Sequence, residues 1–330
     1  MTFKVGVTRD LLMADGKPCF GTTAFDVLQA NPDISWEWIP EDLDEITPDV
    51  AARYDALHVN LPRVTAASIA RDDCRVKIVA RNGVGYDTVD LDATVAKNII
   101  VTNTPVAVRR PVAVAALTMV FALAGRLFKK DQLVREGRWN ERVDYMGQGL
   151  TTRTLGVIGA GSIGKETLAL ARPFFGRMVA ADPNADIQEI EALGADILPL
   201  DEMMAEADFV VTCCDLNDAT FHLVNEERLA LMKQDAYFIN MARGPVHDEK
   251  ALTAALVAGK IDGAGLDVTE REPIEPDSPL LDMENVIITA HALCWTDECF
   301  YDIAATALQS IVDCSLGKRP KFVVEPRPIF

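Results

Sequence analysis

Glycines 159, 161 and 164 stand in a G-x-G-x-x-G array within "TLGVIGAGSIGKETLALA". An apolar run, Leu155–Ile158, precedes it, and a helical pattern, Ile163–Ala171, follows. The spacing suits a dinucleotide pyrophosphate. Gly159 permits a tight turn, Gly161 lets backbone amides approach the phosphates, and Gly164 lets helix and strand pack closely. Ser162 and Ile163 fall in the first turn of the helix, whose N-terminus carries partial positive charge. Asp182 closes the next apolar run, "RMVAAD", eighteen residues beyond Gly164. That is about the ~20-residue spacing of a carboxylate that takes a ribose 2′-hydroxyl. It would repel a 2′-phosphate, so NAD is favoured over NADP; Arg177 opens the run and is poorly placed to offset it. The bland alternative is a structural turn followed by a capping aspartate. A second candidate is His291, one of four histidines, in "ITAHALCWTDE". Imidazole titrates nearest neutrality and can carry a proton either way. By itself a lone histidine reads first as a ring packed at a strand end.

These residues need elements to position them. "FKVGV", "ISWEWI", "ALHVN", "VKIVA" and "IIVTN" read as strands in the first third. "LGVIG", "RMVAAD", "DFVVTC", "AYFIN", "GAGLDV" and "NVIITA" read as strands further on. Helical patterns lie between them, among them Thr22–Ala30, Thr65–Arg71 and a longer one from about Pro111 to Lys130. Such alternation predicts βαβ units and parallel sheets of the α/β class. A chain of 330 residues that is 49% hydrophobic exceeds the size of most single cores, roughly 250–300 residues. Two domains are expected. A helix over Thr296–Leu316 suggests that the chain returns to its first domain before a Pro-rich tail.

The net charge of −18 argues against nucleic-acid or acidic-membrane partners, which attract positive fields. An anionic substrate would need its own local cations. "MTFKVGVTRD" reads as a first strand rather than a targeting sequence, and no uninterrupted apolar run of about twenty residues appears. Seven cysteines, an odd count without C-x-x-C spacing, disfavour a disulfide framework and a zinc site. The expectation is a cytoplasmic protein with no metal.

"ARNGVGYDTVDLDA", "VTNTP", "GVIGAGSIGK", "INMARGPVHDEKAL", "GLDVTEREP" and "ITAHALCWTDE" occur in the order and spacing of the D-2-hydroxyacid dehydrogenases, which the chain resembles from about Arg81 to Thr296. The resemblance implies two doubly wound parallel-sheet domains, with the active site in the cleft. A flavodoxin-like substrate domain would comprise 1–104 and 297–330, and a Rossmann domain 105–296. It implies His291 as acid/base, Glu272 as its paired carboxylate and Arg243 as the substrate arginine. The chemistry is coherent: reducing a 2-oxo acid takes a hydride at C2 and a proton on the ketone oxygen. A carboxylate orients the imidazole and stabilises its charge, and arginine grips the substrate carboxylate with paired hydrogen bonds. Alone, Glu272 reads equally as a turn residue and Arg243 as a strand-end cap.

The resemblance further assigns the substrate carboxylate to the Gly83–Val84–Gly85 loop, a small nest of amides. It gives the nicotinamide amide to Asp267, whose alternative is capping a turn, and places Ala242 beside the cofactor. Asp248 is expected to N-cap the helix at "EKALTAAL". The helix from Pro111 and the loop Trp139–Met146 resemble a dimerisation arm, so a homodimer is expected.

The chain also departs from the pattern. Val106 and Val114 replace a glycine and an acid. Cys213 and Asp215 replace a histidine and a proline near the cofactor. Leu293, Cys294 and Trp295 predict a bulkier floor beside the nicotinamide, and His247 stands at a usually apolar position. Arg109 and Arg110 are unusual; they either bind a second anionic group of the substrate or are solvated surface charges. The leading expectation is an NAD-dependent enzyme interconverting a small 2-oxo acid and its D-2-hydroxy acid. One alternative is an NAD(H)-sensing binding protein with little turnover; another is a formate- or phosphite-type dehydrogenase, which Glu272 speaks against.

Overall fold

The alternation of β-branched runs and helical stretches gives two all-parallel sheets in a computed structural model that describes residues 2–325. The chain divides into two compact units, 1–108 with 295–330, and 109–294.

In the first unit, β1 (Phe3–Val7), β2 (Ile34–Trp38), β3 (Ala56–Val59), β4 (Ile78–Arg81) and β5 (Ile100–Thr102) form one sheet in the order β2-β1-β3-β4-β5. Val5, Val7, Leu57, Ile78 and Val79 are wholly buried. This is why these strands read as continuous apolar runs: helices cover both faces of a parallel sheet. The Asp297–Ser315 helix packs Phe300, Ala304, Leu308 and Ile311 with Val5, Val7 and Ile78 in one core. Thr296 caps it, its hydroxyl accepting the Cys299 N–H at 3.1 Å. The end of the Pro-rich tail, 326–330, lies outside the described residues.

In the second unit, β6 (Thr154–Ile158), β7 (Arg177–Ala181), β8 (Asp196–Ile197), β9 (Phe209–Thr212), β10 (Tyr237–Asn240), β11 (Gly263–Leu266) and β12 (Val286–Ile288) are ordered β12-β11-β10-β9-β6-β7-β8. The first unit has the flavodoxin-like order and the second the Rossmann order with one strand added, so both are doubly wound. The chain order reverses between β6 and β9, and ligands of such sheets bind at the carboxyl ends of the strands flanking that point.

Two expectations need correction. Thr65–Arg71 is a turn rather than a helix. The Thr65 and Ser68 side chains bond each other's backbone N–H at 3.4 and 3.0 Å, which competes with helical pairing. The long helix runs Pro105–Ala124, and a second helix, Leu127–Arg135, follows it. The break falls where Arg126 adopts a left-handed φ of 49° and bonds Asp262 at 2.8 Å. Two-residue β8 gave no readable run. The Pro105–Ala124 helix is long and apolar enough to cross a membrane by length and composition, but Ala116, Met119, Val120 and Leu123 are buried in the core of the second unit.

Candidate active site

Because β12, β11 and β10 are neighbours, the segments that leave their carboxyl ends lie side by side. These segments carry Arg243 after β10, Asp267 and Glu272 after β11, and His291 after β12. The sheet register thus gathers three regions that are far apart in sequence.

His291 sits at φ 54°, a left-handed conformation uncommon outside glycine. Asp267, 4% exposed, holds it there. The Asp267 carbonyl accepts the His291 N–H at 2.8 Å. Its Oδ1 accepts the Ala292 and Leu293 N–H at 3.1 Å each and the Thr289 hydroxyl at 2.5 Å. The turn-capping alternative for Asp267 is therefore realised, and what it caps is the turn that presents the histidine.

His291 Nδ1 lies 2.9 Å from Glu272 Oε2, both side chains about two-fifths exposed. The segment that carries Glu272 is anchored from the adjoining loops. Glu270 Oε1 lies 2.8 Å from His222 Nε2. Glu270 and Glu249 exchange backbone-to-carboxylate bonds at 2.9 and 3.0 Å. The Asp248 side chain N-caps the Glu249–Val257 helix, accepting the Ala251 N–H at 2.9 Å. The Arg243 turn packs against the same segment: Gly244 is so close to the Thr269 carbonyl that no Cβ would fit.

The backbone of that turn is fixed by a residue the sequence reading did not single out. Asn240, wholly buried, donates through Nδ2 to the Arg243 carbonyl at 2.9 Å and faces His247 Nδ1 at 2.8 Å. Its Oδ1 accepts the Ala242 N–H at 2.9 Å and the Thr212 hydroxyl at 2.6 Å. Both amide hydrogens and both lone pairs are used. His247 Nδ1 must then be an acceptor, which places the ring proton on Nε2, a buried atom without a hydrogen-bond partner. Burial pushes the His247 imidazole down to about 4, so the ring is neutral. The available signal was a polar residue closing each of two neighbouring apolar strands, Thr212 and Asn240 in register. Arg243 itself donates from Nη1 to the Ala242 carbonyl at 2.8 Å.

The glycine array lies at the carboxyl end of β6. Gly159 has φ 88°, and a Cβ there would fall 2.7 Å from the Cys214 backbone. Gly164 is pressed onto the Gly159 carbonyl, whereas a Cβ on Gly161 would meet nothing within 4 Å. The open space therefore lies over the N-terminus of the Ser162–Ala171 helix, as a pyrophosphate requires. Asp182 follows β7, with Oδ2 accepting the Ala160 N–H and Oδ1 the Asn184 N–H, each at 2.8 Å. It ties down the glycine loop, and its carboxylate keeps lone pairs to accept a further donor. These residues fit a dinucleotide.

Other positions fall elsewhere. In the first unit the Gly83 N–H turns back to the Arg81 carbonyl at 3.1 Å, and Asn103 and Thr104 take the Val84 and Gly83 carbonyls. Gly83 thus drops out of the expected nest, which narrows to Val84 and Gly85. Arg109 and Arg110 both reach Glu166, at 3.5 and 3.1 Å, while staying about half exposed. Leu293 and Cys294 are partly buried and pack against the core of the second unit.

Residues 117–292 match the family described as D-isomer specific 2-hydroxyacid dehydrogenase, NAD binding domain. A glyoxylate reductase of Korarchaeum cryptofilum is 36% identical over 253 residues, 76% of each chain. A glyoxylate/hydroxypyruvate reductase B of Shigella dysenteriae is 39% identical over 258 residues, 76% of this chain and 79% of its own. The crystal structure of a D-lactate dehydrogenase from Aquifex aeolicus, complexed with NAD and lactic acid, superposes with a TM-score of 0.84 at 27% identity. It covers 98% of this chain and all of its own.

Proposed function

The chain belongs to the D-isomer specific 2-hydroxyacid dehydrogenase family, and we propose that it reduces a small 2-oxo acid of the glyoxylate or hydroxypyruvate type to the corresponding 2-hydroxy acid, the D-isomer where the product is chiral, with NADH preferred over NADPH. It is an oxidoreductase of CH–OH donors with an NAD-binding domain. The observation that carries the finer reading is the His291–Glu272 pair, 2.9 Å apart on a turn clamped by Asp267. The names of the relatives support the substrate class.

When bound, the nicotinamide supplies a hydride to the substrate C2. Glu272 holds Nδ1 of His291, so Nε2 is the nitrogen that gives the ketone oxygen its proton and recovers it in the reverse direction. Arg243 binds the substrate carboxylate and polarises the carbonyl beside it. Asp182 takes the ribose hydroxyl and disfavours a 2′-phosphate.

Leu127, Phe128, Trp139, Val143 and Met146 are exposed in the second unit. These exposed apolar side chains support a homodimer, which sedimentation analysis would test. None of the seven cysteines is in a disulfide, in keeping with a reducing cytoplasm.

The test is the decay of NADH absorbance against glyoxylate, hydroxypyruvate, pyruvate, phosphohydroxypyruvate and longer or dicarboxylic 2-oxo acids. Rapid oxidation with glyoxylate or hydroxypyruvate, lost in His291→Ala, is expected. Tight NADH binding without oxidation by any of them would instead make the protein an NADH sensor.

A further inference from the structure

The strand order β9-β6-β7 places the glycine loop between the carboxyl ends of β7 and β9. Asp182 follows β7 directly, on one side of that loop. On the other side the chain leaving β9 is laid along it. The Cys213 N–H donates to the Ile158 carbonyl at 2.7 Å. Cys214 is the residue that a Cβ at Gly159 would strike. Asp215 comes next, exposed, where the sequence departs from the family's usual proline. The turn that follows is closed by its own side chains. Thr220 Oγ1 donates to the Asp215 carbonyl at 2.6 Å and accepts the Asn217 N–H at 2.8 Å. This fixes the backbone from which the Asp215 carboxylate projects.

The two carboxylates act on a common point. Burial first, then Asp215 and Asp182 by charge, push the Cys214 thiol up to about 12. Two cations flanking this part of the sheet are engaged with other acids. Lys165 pairs with Glu189 at 2.5 Å, and Arg177 opens β7 at the opposite edge of the sheet, paired with Asp196 and Glu206.

We propose that Asp215 is a second determinant of cofactor choice, which with Asp182 brackets the adenosine half of the dinucleotide by negative charge and excludes a 2′-phosphorylated form. The inference rests on the reading of this sheet edge as an NAD site. A 2′-phosphate brings about −1.5 to −2 charges near neutrality. Carboxylates on both sides of the glycine loop make its binding unfavourable, and Lys165 and Arg177, each paired with acids of its own, do not offset them. The effect is Coulombic across partly exposed surface, so salt must weaken it.

The experiment is direct titration of NADH and NADPH, and of adenosine 5′-monophosphate against adenosine 2′,5′-bisphosphate, at low and high salt. It needs no turnover. Wild type, Asp215→Asn, Asp182→Asn and the double variant are compared. Asp218→Asn, an exposed acid three residues further along the same turn, controls for general charge removal. The ratio of the NADPH and NADH Kd values should fall about fivefold in Asp215→Asn and further in the double variant. It should change less than twofold in Asp218→Asn. High salt should narrow the wild-type gap more than the gap of the double variant. An unchanged ratio in Asp215→Asn, or an equal change in Asp218→Asn, overturns the role of Asp215. A wild type that binds neither NADH nor adenosine 5′-monophosphate overturns the reading of the site itself.

Discussion

The Asp267 carbonyl accepts the N–H of His291 at 2.8 Å, while its carboxylate collects the next two N–H groups of the same turn. A non-glycine residue at φ 54° persists only where its surroundings over-determine it, at a cost of about 1–3 kcal/mol. Here one side chain supplies that determination. Asp267→Ala removes the acceptor of three donors, two of them backbone amides beside a buried position. Stability should fall by about 2–4 kcal/mol, measured by urea denaturation, and the rate should fall even under conditions where the variant is fully folded. A variant of wild-type rate would show that the turn holds itself.

Glu272 and His291 should separate in kind. His291→Ala removes the proton carrier and should cost about 10²–10⁴ in kcat. Glu272→Gln keeps the size of the side chain but faces His291 Nδ1 with a neutral amide, so a smaller loss of about 10–100-fold is expected. In both, the Kd of NADH should move little, because the glycine array and Asp182 lie at other strand ends. Equal losses in the two variants would mean that the carboxylate does more than orient the ring.

The fold and the catalytic candidates differ in how they could be read from sequence. The parallel strands were legible because burial on both faces makes each an unbroken apolar run, as in "AYFIN" and "DFVVTC". Two-residue β8 is too short to carry such a signal. The helix break at Arg126 rests on a left-handed residue bonded to Asp262, 136 positions away, which no local pattern encodes. Asn240 and Asp267 each read as a single polar residue closing a strand. What makes them informative is the sheet register, which sets Asn240 opposite Thr212 and Leu266 opposite Ile288 and so lets Asp267 reach the turn of His291.

The Asn240–His247 contact should act on substrate binding. Asn240 Nδ2 holds the Arg243 carbonyl, so losing the acceptor at His247 frees one amide hydrogen in a buried site and loosens the arginine turn. His247→Leu should raise KM for the 2-oxo acid about tenfold while kcat falls less. His247→Asn, whose Oδ1 can take the place of Nδ1, should restore most of it. A KM unaffected by Leu, or a defect that Asn does not relieve, would confine His247 to packing.

Two buried imidazoles set the acid sensitivity of the fold. Burial pushes His58 and His247 each down to about 4, from an unfolded value near 6.5. Between those values the unfolded chain binds protons that the native chain does not, so stability falls as pH drops from 6.5 towards 4 and is fully present above that window. By pH 5 each histidine should have cost about 2 kcal/mol. Carboxylates act lower. At Asp208 burial works against the Thr154 N–H, Lys233 and Arg153, which together hold the carboxyl below its usual range. Its stabilisation is lost only as pH falls below the ordinary carboxylate range, which separates the two effects. Urea denaturation at pH 7 and pH 5 should therefore show a drop of about 4 kcal/mol in wild type, roughly halved in His247→Asn and in His58→Gln, where Asn82 Oδ1 keeps a donor at the position of the ring Nε2, 3.0 Å away in the native protein. Equal drops in all three proteins would place the acid sensitivity outside these two rings.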